Sequence, residues 1–80
     1  MPTIFKKDGY RFFFYSADGF EPMHVHVEFG EGDAKFWLSP PRLAYSYRMK
    51  AQELKKARFL IEENLKLIEE KWNEFFNITK

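Results

Sequence analysis

Cysteine is absent from this 80-residue chain. That excludes a disulfide framework and any thiolate metal site. Long apolar runs are missing as well: nothing approaches the roughly 18 residues of a membrane span, and no membrane association is expected. The opening stretch MPTIFKKDGY lacks the apolar core of a secretory leader, so cytoplasm is the expected compartment. Charge of one sign is not in excess. Residues 1–50 carry seven Lys/Arg against six Asp/Glu and residues 51–80 carry six against six, which together make the 13 and 12 of the whole chain. Nucleic-acid binders usually show a basic surplus, so any RNA contact would be local and modest. There is no internal repeat, linker or low-complexity stretch, and one domain spanning 1–80 is expected.

Aromatic side chains are what the chain has in quantity, at 20% of its residues, ten of them Phe. A chain this short buries a core only marginally, and each buried aromatic ring removes about 150–250 Å² from water, which offsets the small size. The aromatics fall in strand-like runs. Thr3–Lys6 and Tyr10–Tyr15 flank Lys7-Asp8-Gly9, and Asp-Gly between two such runs predicts a hairpin. After the loop Ser16–Pro22, residues Met23–Phe29 alternate strictly. Met23, Val25, Val27 and Phe29 point one way, and His24, His26 and Glu28 the other. Gly30–Asp33 reads as a four-residue turn into the strand Ala34–Leu38. That register sets Val27 against Phe36, Val25 against Leu38, Glu28 against Lys35, His26 against Trp37 and His24 against Ser39. Arg42–Tyr47, behind Pro40-Pro41, is expected as a further edge strand.

From Lys50 the period changes. Ala51, Leu54, Ala57, Ile61, Leu65, Ile68, Trp72 and Phe75 recur every three or four residues and predict a helix over 50–78. About 27 residues at 1.5 Å make roughly 40 Å, far more than the roughly 23 Å of a seven-residue strand. Either the helix breaks, with Asn64 the weakest point, or its distal part from Trp72 to Phe76 packs on a second chain. Leu60, Leu67 and Ile78 line the far side and would be exposed in a monomer. A homodimer or a small partner protein, with Leu60, Leu67, Trp72 and Phe76 at the interface, would account for both features. The fold expected is α+β: an antiparallel sheet of four or five strands over residues 1–49, one face covered by the long C-terminal helix.

The His24-x-His26 pair is the most specific chemical signal. Two residues apart on a strand, both imidazoles share a face, about 7 Å apart by rise. Glu28 continues the row, and Glu21 or Asp18 of the preceding loop could reach it. Two His with a carboxylate make an accepted site for zinc or iron, with His24, His26 and Glu28 as ligands. A second reading is acid–base chemistry at His24 and His26. If Tyr10–Tyr15 pairs with the His strand, Arg11, Lys35, Tyr15 and Trp37 join them in a cationic, aromatic patch suited to phosphate and base stacking. The ordinary alternative is a pair of half-exposed strand residues, with His26 packed on Trp37. All three readings stay open. An N-terminal Pro2 acting as a base is disfavoured, because a hairpin follows it where a strand–helix–strand layout would be needed.

Pro2, the hairpin with Gly9, the segment Glu21-Pro22-Met23-His24-Val25-His26-Val27, then Gly32, Ala34 and the late Trp72 together resemble a small prokaryotic family, the domain of unknown function DUF4160. The resemblance spans essentially the whole chain, and the P-x-H-x-H core carries it. Many members have a second Pro just before the first His, where this chain has Met23. The resemblance implies a free-standing gene beside a second small domain, in an arrangement like a toxin–antitoxin cassette, and so a partner protein or an RNA target. It assigns no role to His24 or His26. The first function expected is therefore an interaction or regulatory module. The alternative is a small RNA-acting hydrolase or metal-binding enzyme working at the His24/His26 face.

Overall fold

A computed structural model of the chain describes residues 3–38 and 40–76. Its elements are β1 (Thr3–Lys7), β2 (Tyr10–Phe13), a single 3-10 turn (Asp18–Phe20), β3 (His24–Phe29), β4 (Gly32–Trp37), β5 (Arg42–Tyr47), α1 (Ala51–Glu63) and α2 (Leu65–Phe76). The strands form one antiparallel meander in the order β1-β2-β3-β4-β5, which is the expected α+β architecture. Among the described residues no helix is long and apolar enough to cross a membrane.

The hairpins follow from local chemistry. Asp8 and Gly9 both take positive φ, 53° and 87°, as a two-residue turn whose twist matches its strands requires, and Lys7 pairs with Tyr10. The β3–β4 turn is tighter than its composition suggested. Phe29 pairs with Gly32, leaving a two-residue loop with Gly30 at φ 59°. The expected register is thus displaced by two residues: His24 faces Trp37, Val25 faces Phe36, His26 faces Lys35, Val27 faces Ala34 and Glu28 faces Asp33. A shift of two leaves every side chain on its expected face and changes only its neighbours. The expected partner of His24, Ser39, lies outside the described residues. Gly32 is needed for space: a Cβ there would sit 2.2 Å from the Arg48 carbonyl oxygen.

The inward face of the sheet supplies Tyr10, Phe12, Phe14, Val25, Val27, Ala34, Phe36 and Leu38 to the core, closed by Ala57, Leu60, Ile61, Ile68 and Trp72. The helical segment is two helices and not one. Asn64 takes φ −121° and ψ 21°, its side-chain amide donates to the Leu60 carbonyl, and its own carbonyl accepts the Ile68 N–H that starts α2. A side chain that hydrogen-bonds the preceding turn offers the backbone an alternative to a continuous ladder. The break answers the mismatch between helix length and sheet width within one chain.

It also corrects the expected interface. Leu60 is buried on its own sheet, and Trp72 is buried against Phe14, with ring centroids 5.2 Å apart. Leu67 is half-buried. The four-residue steps from Ile68 through Trp72 land on Phe76, which packs 4.3 Å from the Trp72 ring and 5.8 Å from Phe14, while Phe75 is exposed. Phe76 and Phe75 have thus exchanged their expected places. Ile78, the end of the expected helix and Pro2 lie outside the described residues.

Candidate functional site

The segment 14–23 joins β2 to β3 and is folded back by its own hydrogen bonds. The Asp18 N–H donates to the Tyr15 carbonyl at 3.0 Å, the Tyr15 N–H donates to Asp18 Oδ2 at 2.8 Å, and the Glu21 N–H donates to the Asp18 carbonyl at 3.0 Å. These bonds hold the Asp18 carboxylate over β3. Oδ2 stands 3.1 Å from His26 Nε2 and 3.2 Å from His24 Nε2. His24 is turned by a bond from Nδ1–H to the Pro22 carbonyl at 2.8 Å.

The histidines are not half-exposed strand residues, as the alternation alone suggested. His24 is 0% exposed and His26 6%. The reason is tertiary: the loop and the end of α2 close over this end of the sheet. His24 meets Trp72 at 5.2 Å, Trp37 at 5.5 Å and His26 at 5.1 Å, each close to edge-on. His26 stacks on Phe13 at 5.5 Å and meets the edge of Tyr15 at 4.6 Å. The expected packing of His26 on Trp37 falls to His24 instead, through the displaced register. Burial pushes the His26 pKa down, against the pull of the Asp18 carboxylate.

Of the other expected site residues, Tyr15, Trp37 and Lys35 are gathered here. Lys35 Nζ lies 4.4 Å over the Trp37 ring and donates to Glu21 Oε1 at 2.6 Å, a bond that holds the Glu21 carboxyl below its ordinary range. Arg11 and Glu28 are not part of the cluster. They pair with each other at 3.1 Å, and Arg11 also donates to Thr3 Oγ1 and lies 4.3 Å over Phe13. Glu28 is therefore no ligand partner of the histidines. Asp18 takes that place: one donor atom from each of Asp18, His24 and His26 lies within 4.8 Å of the other two. The sequence offers a modest signal for it, an acid three residues after the strand's last tyrosine, where its side chain can cap the turn.

Beyond this cluster no described residue covers the outer face of the sheet. Tyr45 faces Lys35 and Tyr47 faces Asp33 on β5, all six residues of which are exposed. Tyr15, Tyr45 and Tyr47 are 45–57% exposed. Neither Tyr45 nor Tyr47 was expected to matter, since an edge strand of mixed composition carries no motif. Three of the cations around them are engaged, Lys35 with Glu21, Arg11 with Glu28, and Arg48 with Glu31 at 3.3 Å, whereas Arg42, opposite Trp37 on β5, is in no ion pair among the described residues.

The family model described as Domain of unknown function (DUF4160) matches residues 9–73, a span that holds β2 to β5, the loop with Asp18 and both helices up to Trp72. No curated protein and no solved structure matches the chain.

Proposed function

We propose that this chain, which belongs to the DUF4160 family, is a cytoplasmic, non-catalytic protein-binding module that docks a small partner on its outer sheet face and β5. The observation that carries this reading is the uncovered face itself, with three half-exposed tyrosines among cations of which Lys35, Arg11 and Arg48 are paired to carboxylates and Arg42, among the described residues, is not. Tyrosine and arginine are the residues that dominate protein interfaces, whereas a nucleic-acid surface needs cations free for phosphate. Burial of both histidines argues in the same direction, because a general acid or base has to reach a substrate proton. The partner is the second half of a two-protein cassette of toxin–antitoxin type, as the family resemblance implies.

The test is coexpression with the product of the adjacent small gene, followed by size-exclusion chromatography. A 1:1 complex with the wild type, weakened at least about tenfold by Tyr45→Lys/Tyr47→Lys, is the expected result. Both positions are exposed, so the variant's circular dichroism and melting should match the wild type. Equal binding by the variant would remove the face from the interaction. Tight, salt-sensitive binding of a fluorescent single-stranded RNA would give the face to nucleic acid, and a concentration-dependent dimer without the partner would give it to a second copy.

A further inference from the structure

We propose that Asp18, His24 and His26 bind one divalent transition-metal ion of the zinc class, and that this ion fastens the loop 14–23 to the sheet. The argument begins with the tautomer of His24. Only a protonated Nδ1 can donate to the Pro22 carbonyl 2.8 Å away, which in the neutral ring leaves Nε2 as a bare lone pair. That lone pair is wholly buried and has no hydrogen-bond partner among the described residues, yet it is aimed at Asp18 Oδ2, 3.2 Å away. Two acceptors facing each other in a water-excluded site repel unless a cation lies between them.

The surrounding geometry accommodates a metal ion in that gap. Ligand atoms about 2.0–2.1 Å from a tetrahedral zinc stand roughly 3.3 Å from one another. Asp18 Oδ2 already has both Nε2 atoms at 3.1 and 3.2 Å, the first of these a hydrogen bond in the metal-free chain, and the three donor atoms lie within 4.8 Å of one another, so a bound ion would draw the set closer together. An imidazole that donates Nδ1–H to a backbone carbonyl while presenting Nε2 is oriented as a metal-bound histidine usually is. Asp18 is steadied in turn by the Tyr15 N–H. Two nitrogens and one carboxylate oxygen suit zinc, cobalt or iron and do not suit calcium or magnesium, which take all-oxygen shells. His26 and Asp18 sit at the rim, with side chains 8% and 12% exposed, so a water can complete the shell. Both tryptophans lie beside the site, their rings 5.2 and 5.5 Å from His24.

The experiment uses the full chain, stripped with a chelator and titrated with CoCl2, with MgCl2 as control. One equivalent of cobalt should bring visible d–d absorption and quench tryptophan emission, and zinc should displace it. With free zinc at about a hundred times its Kd, the melting midpoint should rise by roughly 10–20 °C. Asp18→Asn should weaken binding more than about tenfold, whereas Glu28→Gln, whose side chain lies outside the cluster, should not change it. Absence of both optical signals at one equivalent in the wild type would overturn the proposal, as would unchanged affinity in Asp18→Asn. Nitrogen-15 spectra showing both His24 ring nitrogens protonated in the presence of zinc would overturn it too, and would place a proton in the gap. If Asp18→Asn fails to fold, the wild-type titration decides alone.

Discussion

One face of the sheet is closed by α1 and α2, the other only at one end, by the loop 14–23 and the end of α2. On the covered face the contacts are apolar and redundant: Phe12, Val25, Val27, Ala34 and Phe36 meet Ala57, Ile61 and Ile68, all at or near zero exposure. On the outer face burial is local and polar, and it turns on one carboxylate between two imidazoles. Both kinds of closure remove side chains from water. The first depends on buried area more than on any single pairing. The second depends on the placement of individual atoms, because a buried polar group is costly when its partner moves.

The contrast predicts a gradient of mutational effects. Phe12→Ala, in the covered core and stacked 4.5 Å from Phe5, should cost about 3–5 kcal/mol in urea unfolding. A loss under about 1 kcal/mol would mean that the helices do not close over β2. Next comes His26→Ala, which strips Phe13 and Tyr15 of a ring contact and Asp18 of a partner. In metal-free protein we expect about 1–3 kcal/mol, by thermal or urea melts. No change would put His26 back on an open face.

Gly32→Ala tests the junction at which β4 passes under the Arg48 carbonyl. The added methyl has no room against backbone, and about 1–3 kcal/mol should be lost. The same substitution at Gly30 meets no atom within 4 Å but is strained by its φ of 59°, so it should cost about 1 kcal/mol. The smallest effect belongs to the solvent side. Arg11→Ala, which removes the pair with Glu28, should change stability by about 1 kcal/mol or less, and the difference should shrink further in high salt.

Much of this arrangement was legible in the residues. Alternation in Met23–Phe29 assigned each side chain to a face, Asp8-Gly9 gave the first hairpin, and the change to a period of three or four marked the start of the helices near Ala51. The patch of Tyr15, Trp37 and Lys35 around the histidines was legible from strand pairing. The β3–β4 register was not, because a shift of two satisfies the same alternation and only the Gly30 turn distinguishes the alternatives. Burial of Leu60 was missed for a related reason. A helical stripe drawn at one residue per turn is narrower than the face a sheet covers, and Ala57, Leu60 and Ile61 share that face.

Asp18 shows the limit most clearly. Its neighbours place it in a turn, and the loop by itself leaves open whether Asp18 or Glu21 reaches the histidines. What the sequence determined by itself was periodic: which residues are strand or helix, which face each side chain takes, and where Asn64 weakens the helical run. Those properties are set by backbone geometry and by neighbours a few residues away. How far the loop and α2 close over the histidine end, how deeply His24 lies and which carboxylate meets it were decided only by tertiary structure. They depend on contacts between Asp18, His24 and Trp72, from a loop, a strand and a helix; Asp18 lies six residues before His24, but Trp72 lies 48 residues after it, and no local pattern encodes that second meeting.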